Sequence, residues 1–307
     1  MNFPFRFLPA ALAGTFAVGM ASTAWAEPLP NEPPEEKPFE IPGGDIFGFT
    51  SPTNVGNPGA RGIALELSNW AGKRAGSYWS PTLKTQFSFT PDENVAVALS
   101  PWVTAHRIRE VPTLEDRTAT RFDGFSGEVS YRFIQRTPTN PVAATISMEP
   151  RMSRVDALTG ERARSYGNEV KLFVDAAIVP GRLYGAFNIN YAFATQRGFG
   201  PDEKWRDSSG AAVSGALTYQ FSERFFAGVE SRWLTSFSGP ALNEQMGWGV
   251  FAGPTMLVKV SDGAALNLAW TPQVSGRAPG NAADASEARD LDNFERHQFR
   301  AKFATSF

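Results

Sequence analysis

The end of the chain constrains the fold more than any other stretch. From Phe299 to Phe307 the residues Phe299, Ala301, Phe303, Thr305 and Phe307 alternate with Arg300, Lys302, Ala304 and Ser306. A period of two is the mark of a strand with two unlike faces, whereas a helix would repeat every three to four residues. The same alternation recurs upstream. In Glu169 to Val179 the set Val170, Leu172, Val174, Ala176 and Ile178 opposes Glu169, Lys171 and Asp175; in Ala265 to Val274, Leu266, Leu268, Trp270 and Pro272 oppose Asn267, Thr271 and Gln273. Twelve such segments are readable, near 62–68, 80–90, 94–106, 122–134, 141–153, 168–179, 182–196, 210–221, 225–236, 247–260, 264–275 and 295–307. A soluble sandwich would turn its apolar faces inward on a dry core. Here the opposite faces carry small and charged residues that cannot fill one, so the apolar faces must meet lipid. The expected fold is all-β: a transmembrane antiparallel barrel of twelve strands, an even number as single-chain bacterial barrels have.

Spacing supports this layout. Connections after even-numbered segments are short and turn-rich, such as Pro91-Asp92-Glu93, Pro180-Gly181 and Ser261-Asp262-Gly263, while those after odd-numbered segments are longer, as in 107–121 and 276–294. Short periplasmic turns and longer extracellular loops are what an outer-membrane barrel shows, and an even strand count puts both termini on the periplasmic side. Phe89, Phe133, Phe221 and Phe307 end strands at one boundary, and Trp79, Trp233, Trp248 and Trp270 sit toward the other, as aromatic girdles do.

Ahead of the barrel lie two segments of different character. Residues 1–26 read as a cleavable export signal: Arg6, an apolar run from Phe7 to Ala21, and Ala24-Trp25-Ala26 as the cleavage site. Residues 27–60 are a Pro-rich acidic periplasmic arm and lead-in, with six prolines and five acids between Glu27 and Gly44. That composition buries too little apolar surface to order itself, which favours a spacer over a plug that folds back into the lumen. The barrel proper spans 61–307.

With the terminal Phe307 and its alternating strand, the chain resembles Gram-negative outer-membrane β-barrel proteins of porin-like form, whose last strand is the assembly signal. The resemblance implies location in the outer membrane, insertion by the barrel assembly machinery, and contact with outer-membrane lipids and lipopolysaccharide. It identifies no subfamily and leaves the oligomeric state open.

Function is then read from the inward faces. They carry Glu66, Lys84, Glu128, Arg132, Glu149, Arg151, Glu169, Lys171, Asp175, Glu230, Arg232, Lys259, Arg300 and Lys302, six acids against eight bases. Twelve tilted strands enclose a backbone cylinder roughly 24 Å across, which inward side chains narrow. The reading is a narrow channel for passive diffusion of small hydrophilic solutes, with a slight preference for anions; the alternative is a non-conducting barrel with a structural or surface-interaction role. No enzyme activity, cofactor or metal is expected. Outer-membrane phospholipase A carries a His-x-Ser pair, but here His106 precedes Arg107-Ile108 and His297 precedes Gln298-Phe299. No phosphate-loop, zinc or calcium pattern is present. A formal charge of −2 gives no case for nucleic acid. Arginines near the loops, among them Arg74, Arg107, Arg109, Arg117, Arg121, Arg154, Arg162 and Arg164, suit either lipopolysaccharide phosphates or salt bridges with their acidic neighbours.

Overall fold

The computed structural model describes residues 39–200, 203–279 and 288–307; the expected signal segment 1–26 and residues 27–38 lie outside the described residues. Twelve strands follow one another in chain order: β1 (Arg61–Ala71), β2 (Ser77–Asp92), β3 (Val95–Arg109), β4 (Arg117–Ile134), β5 (Val142–Val155), β6 (Arg162–Val179), β7 (Leu183–Gly198), β8 (Arg206–Gln220), β9 (Phe225–Ser238), β10 (Glu244–Ser261), β11 (Ala264–Arg277) and β12 (His297–Ser306). Each pairs antiparallel with the next, and β12 pairs with β1, with Leu65 opposite Phe303 and Glu66 opposite Lys302. Closure leaves no strand edge, so every backbone group within the wall finds a partner without water.

The period-two faces sort as the sequence predicts. Outward residues are large and apolar, with Leu99, Val129 and Val229 more than half exposed, and Phe89, Phe133, Phe221 and Phe307 are all exposed at the end where the tight turns lie. Inward positions hold Ser100, Thr104, Ser126, Glu149, Thr218 and Gln298, all buried.

Strands run further than the alternation shows, chiefly at the loop end. β4 begins at Arg117 rather than near 122, and β6 at Arg162 rather than near 168. Five loops at that end contract, to 72–76, 110–116, 156–161, 199–205 and 239–243, against 93–94, 135–141, 180–182, 221–224 and 262–263 at the turn end, so the expected contrast of short turns with longer loops fails at 135–141. Beyond the membrane both faces of a strand meet water, so the two-faced pattern fades while the backbone still needs its ladder. One irregularity is functional in form: at Asp123 the β3–β4 register slips, and the carboxylate accepts from Thr104 Oγ1 (3.0 Å) and from the amides of Arg154 (3.2 Å) and Val155 (3.1 Å).

The expectation for residues 27–60 is corrected by the segment's described part. Residues 39–55 do not lie outside the barrel as a periplasmic lead-in; they fold into its interior, and only 56–60, with Asn57, Pro58 and Gly59 exposed, lead in to β1 at the turn end. Ile41, Ile46 and Phe47 are buried against Ala177, Tyr184, Ala186, Ala216, Phe226 and Leu257 of the wall. The acidic, proline-rich average over 27–44 hides Ile41 and stops short of Ile46 and Phe47, and burial stabilises the segment by roughly 1.5–3 kcal/mol for each large side chain.

Candidate functional site: the plugged lumen

Residues 39–55, here called the plug, have no regular secondary structure, so their backbone amides need partners from the wall. Two inward carboxylates supply them, and a pair of wall bases holds the plug's own carboxylate. Glu230 on β9 accepts from the amides of Phe49 (3.0 Å) and Thr50 (2.9 Å) and from Thr50 Oγ1 (3.1 Å). Asp175 on β6 accepts from the Thr53 amide (2.7 Å) and hydroxyl (3.0 Å) and is paired with Arg136, both side chains being almost wholly buried. Arg300 and Lys302 on β12 reach Asp45 of the plug at 2.9 and 3.0 Å, and Arg300 also holds Glu66 at 3.0 Å. Burial alone would push the Asp45 carboxyl up, but Arg300 and Lys302 outweigh it and hold the group below the ordinary carboxylate range.

Neutral contacts complete the fit. Thr218, Asn267, Thr145 and Thr90 donate side-chain hydrogen bonds to the carbonyls of Ile46, Asp45, Thr53 and Val55. The Arg232 guanidinium stacks 3.8 Å from the centroid of Phe49. Gly48, at φ +78°, brings the chain so close to the wall that a Cβ would meet Thr255 Cγ2 at 2.6 Å and Glu230 Oε1 at 3.0 Å.

Inward charges fall into separate groups. Arg132, paired with Glu40, together with Asp175, Glu230, Arg232, Arg300 and Lys302, holds the plug. A second group cross-ties the bare wall. Lys84 donates to Glu149 (3.0 Å), Lys171 pairs with both Glu149 and Glu128, and Arg151 pairs with Glu169. Lys259 stands apart at the turn end beside Gly43. Phe307, the expected assembly signal, exchanges backbone hydrogen bonds with Arg61 and leaves its ring exposed. Sequence reasoning missed Glu40, Asp45, Phe49, Thr50, Thr53 and Arg136. The available signal was the run Phe39-Glu40-Ile41-Pro42-Gly43-Gly44-Asp45-Ile46-Phe47-Gly48-Phe49, apolar residues spaced by glycine within an otherwise acidic segment.

Two cavities remain beside the plug, against β12, β1 and β2, the first reaching on to β3, β4, β6 and β7 and the second to β10 and β11. One of about 450 Å³ is lined by both signs of charge, including Glu66, Lys84, Glu128 and Lys171. A second, of about 350 Å³, lies toward the turn end with Lys259 and Asp262 on its wall. They share Gly44, Asp45, Ala64, Gln86, Ser88 and Lys302 and are therefore contiguous. Arg132, Asp175, Glu230 and Arg232 line neither one.

At the loop end, residues 156–161 fold inward. His106 Nε2 lies 3.0 Å from the Ala157 carbonyl and 3.1 Å from Ser80 Oγ, and Tyr78 donates to the Leu158 carbonyl (3.1 Å). A Ser–His contact can activate a serine only if Nε2 is free to take its proton. Donation to Ala157 uses that nitrogen, so the pair serves to hold the loop. His297 touches the rings of Trp270 and Phe299 instead.

Residues 40–307 match a family described as a family of unknown function, DUF6662. The chain belongs to that family. No curated protein matches the chain in sequence. Among solved structures, this family member is similar to the COG4313 outer membrane channel from Pseudomonas putida F1, with a TM-score of 0.55 at 10% identity over 87% of this chain and 100% of that one. It is also similar to the translocator domain of the autotransporter NalP from Neisseria meningitidis (TM-score 0.47, 11% identity, 82% and 90% covered) and to the Pseudomonas putida toluene transporter TodX (0.39, 10%, 87% and 98%). At such identities the likeness is one of fold, that of an outer-membrane β-barrel.

Proposed function

We propose that this protein is an outer-membrane channel in which small hydrophilic solutes pass through an off-centre path between the plug and the part of the wall centred on β12, β1 and β2. The observation that carries the reading is the pair of contiguous polar cavities beside the plug, whose shared lining of Gln86, Ser88, Asp45 and Lys302 offers hydrogen-bonding groups of both kinds. Similarity of fold to an outer-membrane channel supports it. An export signal at residues 1–26 would deliver the chain to that membrane.

The plug changes the expected selectivity. An excess of inward bases argues for anions, but Arg132 and the Arg300–Lys302 pair are met by Glu40 and Asp45 of the plug, and Lys84 and Lys171 by wall acids. The path is thus close to electrically balanced, and neutral polar solutes fit it best. The plug also favours the second reading, a barrel closed at rest. Single-channel recording from the full mature chain in a planar bilayer separates the two: small, steady current steps are expected of the channel, and a folded barrel that never conducts overturns it.

A further inference from the structure

The outer wall of β5, β6 and β7 carries a row of arginines that nothing in the lumen explains. Arg154, Arg164 and Arg197 all stand on the outward face at the loop end. Arg164 lies directly opposite Arg197, and Arg154 sits at the register slip between Ser153, opposite Ser165, and Val155, opposite Arg162. Arg162 repeats the charge one step further along the same face of β6. Among the described residues none of the four has a carboxylate partner. The Arg164 guanidinium packs instead 4.9 Å from the Phe199 ring.

Like charges directly opposite one another destabilise a sheet. Solvent screens part of that cost at exposed positions, and an anion that bridges the guanidinium groups removes the rest.

Depth says which anion is within reach. Outward residues of β6 below the row run from Tyr166 to Ile178, and at roughly 2.5 Å of depth per residue this spans about 30 Å, enough to cross the apolar band of about 25 Å. Tyr166, in ring contact with Trp205, and Phe193 on β7 mark its upper boundary. Arg164 is the next outward residue beyond Tyr166, so the row lies at the level of lipid headgroups and not in free solvent. Guanidinium forks match phosphate oxygens in pairs, and three neighbouring forks match a headgroup with more than one phosphate.

We propose that Arg154, Arg164 and Arg197, flanked by Arg162, form a binding site on the outer wall for the phosphate groups of a phosphorylated glycolipid headgroup. Tyr166 and Phe193 sit below, where its acyl chains begin.

The test uses the full mature chain folded in zwitterionic detergent, with bis-phosphorylated lipid A as probe and native mass spectrometry as readout. The wild-type protein is expected to hold lipid A at least about tenfold more tightly than the triple variant Arg154→Gln/Arg164→Gln/Arg197→Gln, and to show no such difference for phosphatidylcholine. A Lys triple at the same positions, which keeps charge but loses the forks, should fall between the two. The single variant Arg164→Gln, expected to lose severalfold, serves if the triple fails to fold. Equal lipid A binding by folded wild-type and variant barrels overturns the site. Inorganic pyrophosphate binding as tightly as lipid A overturns the lipid assignment in favour of a soluble anion. Because these residues lie outside the lumen, conductance of the variants is expected to stay at the wild-type level, so failure here is distinct from failure of the channel reading.

Discussion

Asp45 and Arg300 are 255 positions apart in the chain and 2.9 Å apart in the fold. One belongs to the plug and the other to β12, the last strand, and their contact ties the two ends of the described chain together inside the lumen. The carboxylate also holds Lys302, so its removal strands Lys302 and leaves Arg300 with Glu66 alone.

Replacing Asp45 with Asn should therefore loosen the plug and cost about 1–3 kcal/mol, the penalty for stranding a buried charged partner. Single-channel recordings should show larger or more frequent openings and a shift toward anions, because Arg300 and Lys302 then face the path. Acid should do the same to the wild-type protein. The Asp45 carboxyl is held below its ordinary value of 3.8 in the fold, so its contribution is complete above that pH and is lost as pH falls below it. Unchanged conductance in the folded variant would refute the latch.

Gly48→Ala tests the seating of the plug by shape alone. Its positive φ disfavours any side chain, and the new methyl would press on Thr255 and Glu230. The barrel should fold with unchanged strand content, the plug should become accessible to protease, and its retention should weaken by about 1–3 kcal/mol. A protease-resistant plug in this variant would count against the close packing described.

Facing can be checked at Leu268 and Gln86. Leu268, opposite Met256 and Ala301, points to lipid, and arginine there should destabilise folding into vesicles by about 2–4 kcal/mol near mid-membrane. Gln86 lines both interior cavities, so Gln86→Arg should fold almost normally. Asn267, although inward, is a poor control because it is buried and donates to the Asp45 carbonyl at 2.7 Å. Equal losses at Leu268 and Gln86 would reject the assigned faces.

Selectivity should respond to Lys84. Its ammonium lines the larger cavity and touches Glu149 without touching the plug. Lys84→Glu should leave the plug seated and move the reversal potential under a salt gradient toward cations. Identical potentials for the two proteins would show that the path does not pass this wall.

Much of the architecture was legible from residue order, because a strand between lipid and a polar lumen must alternate and any sequence that alternates twelve times can satisfy its backbone only by closing. Facing was fixed in the same way: Val174 outward and Asp175 inward follow from period two, with no knowledge of neighbours. Strand ends beyond the apolar band were not legible, since at Arg117 and Arg162 neither face of the strand has to be apolar. The lumen was least legible. That Glu230 binds the Phe49 and Thr50 amides, and that Arg300 meets Asp45, depends on which residues a closed barrel brings across its interior, at sequence separations of 180 and 255. Local composition carries no record of such distances, so it made residues 27–44 a spacer and the rest, to residue 60, a lead-in. Only the tertiary structure, by presenting buried carboxylates to otherwise unpaired amides, made residues 39–55 a plug.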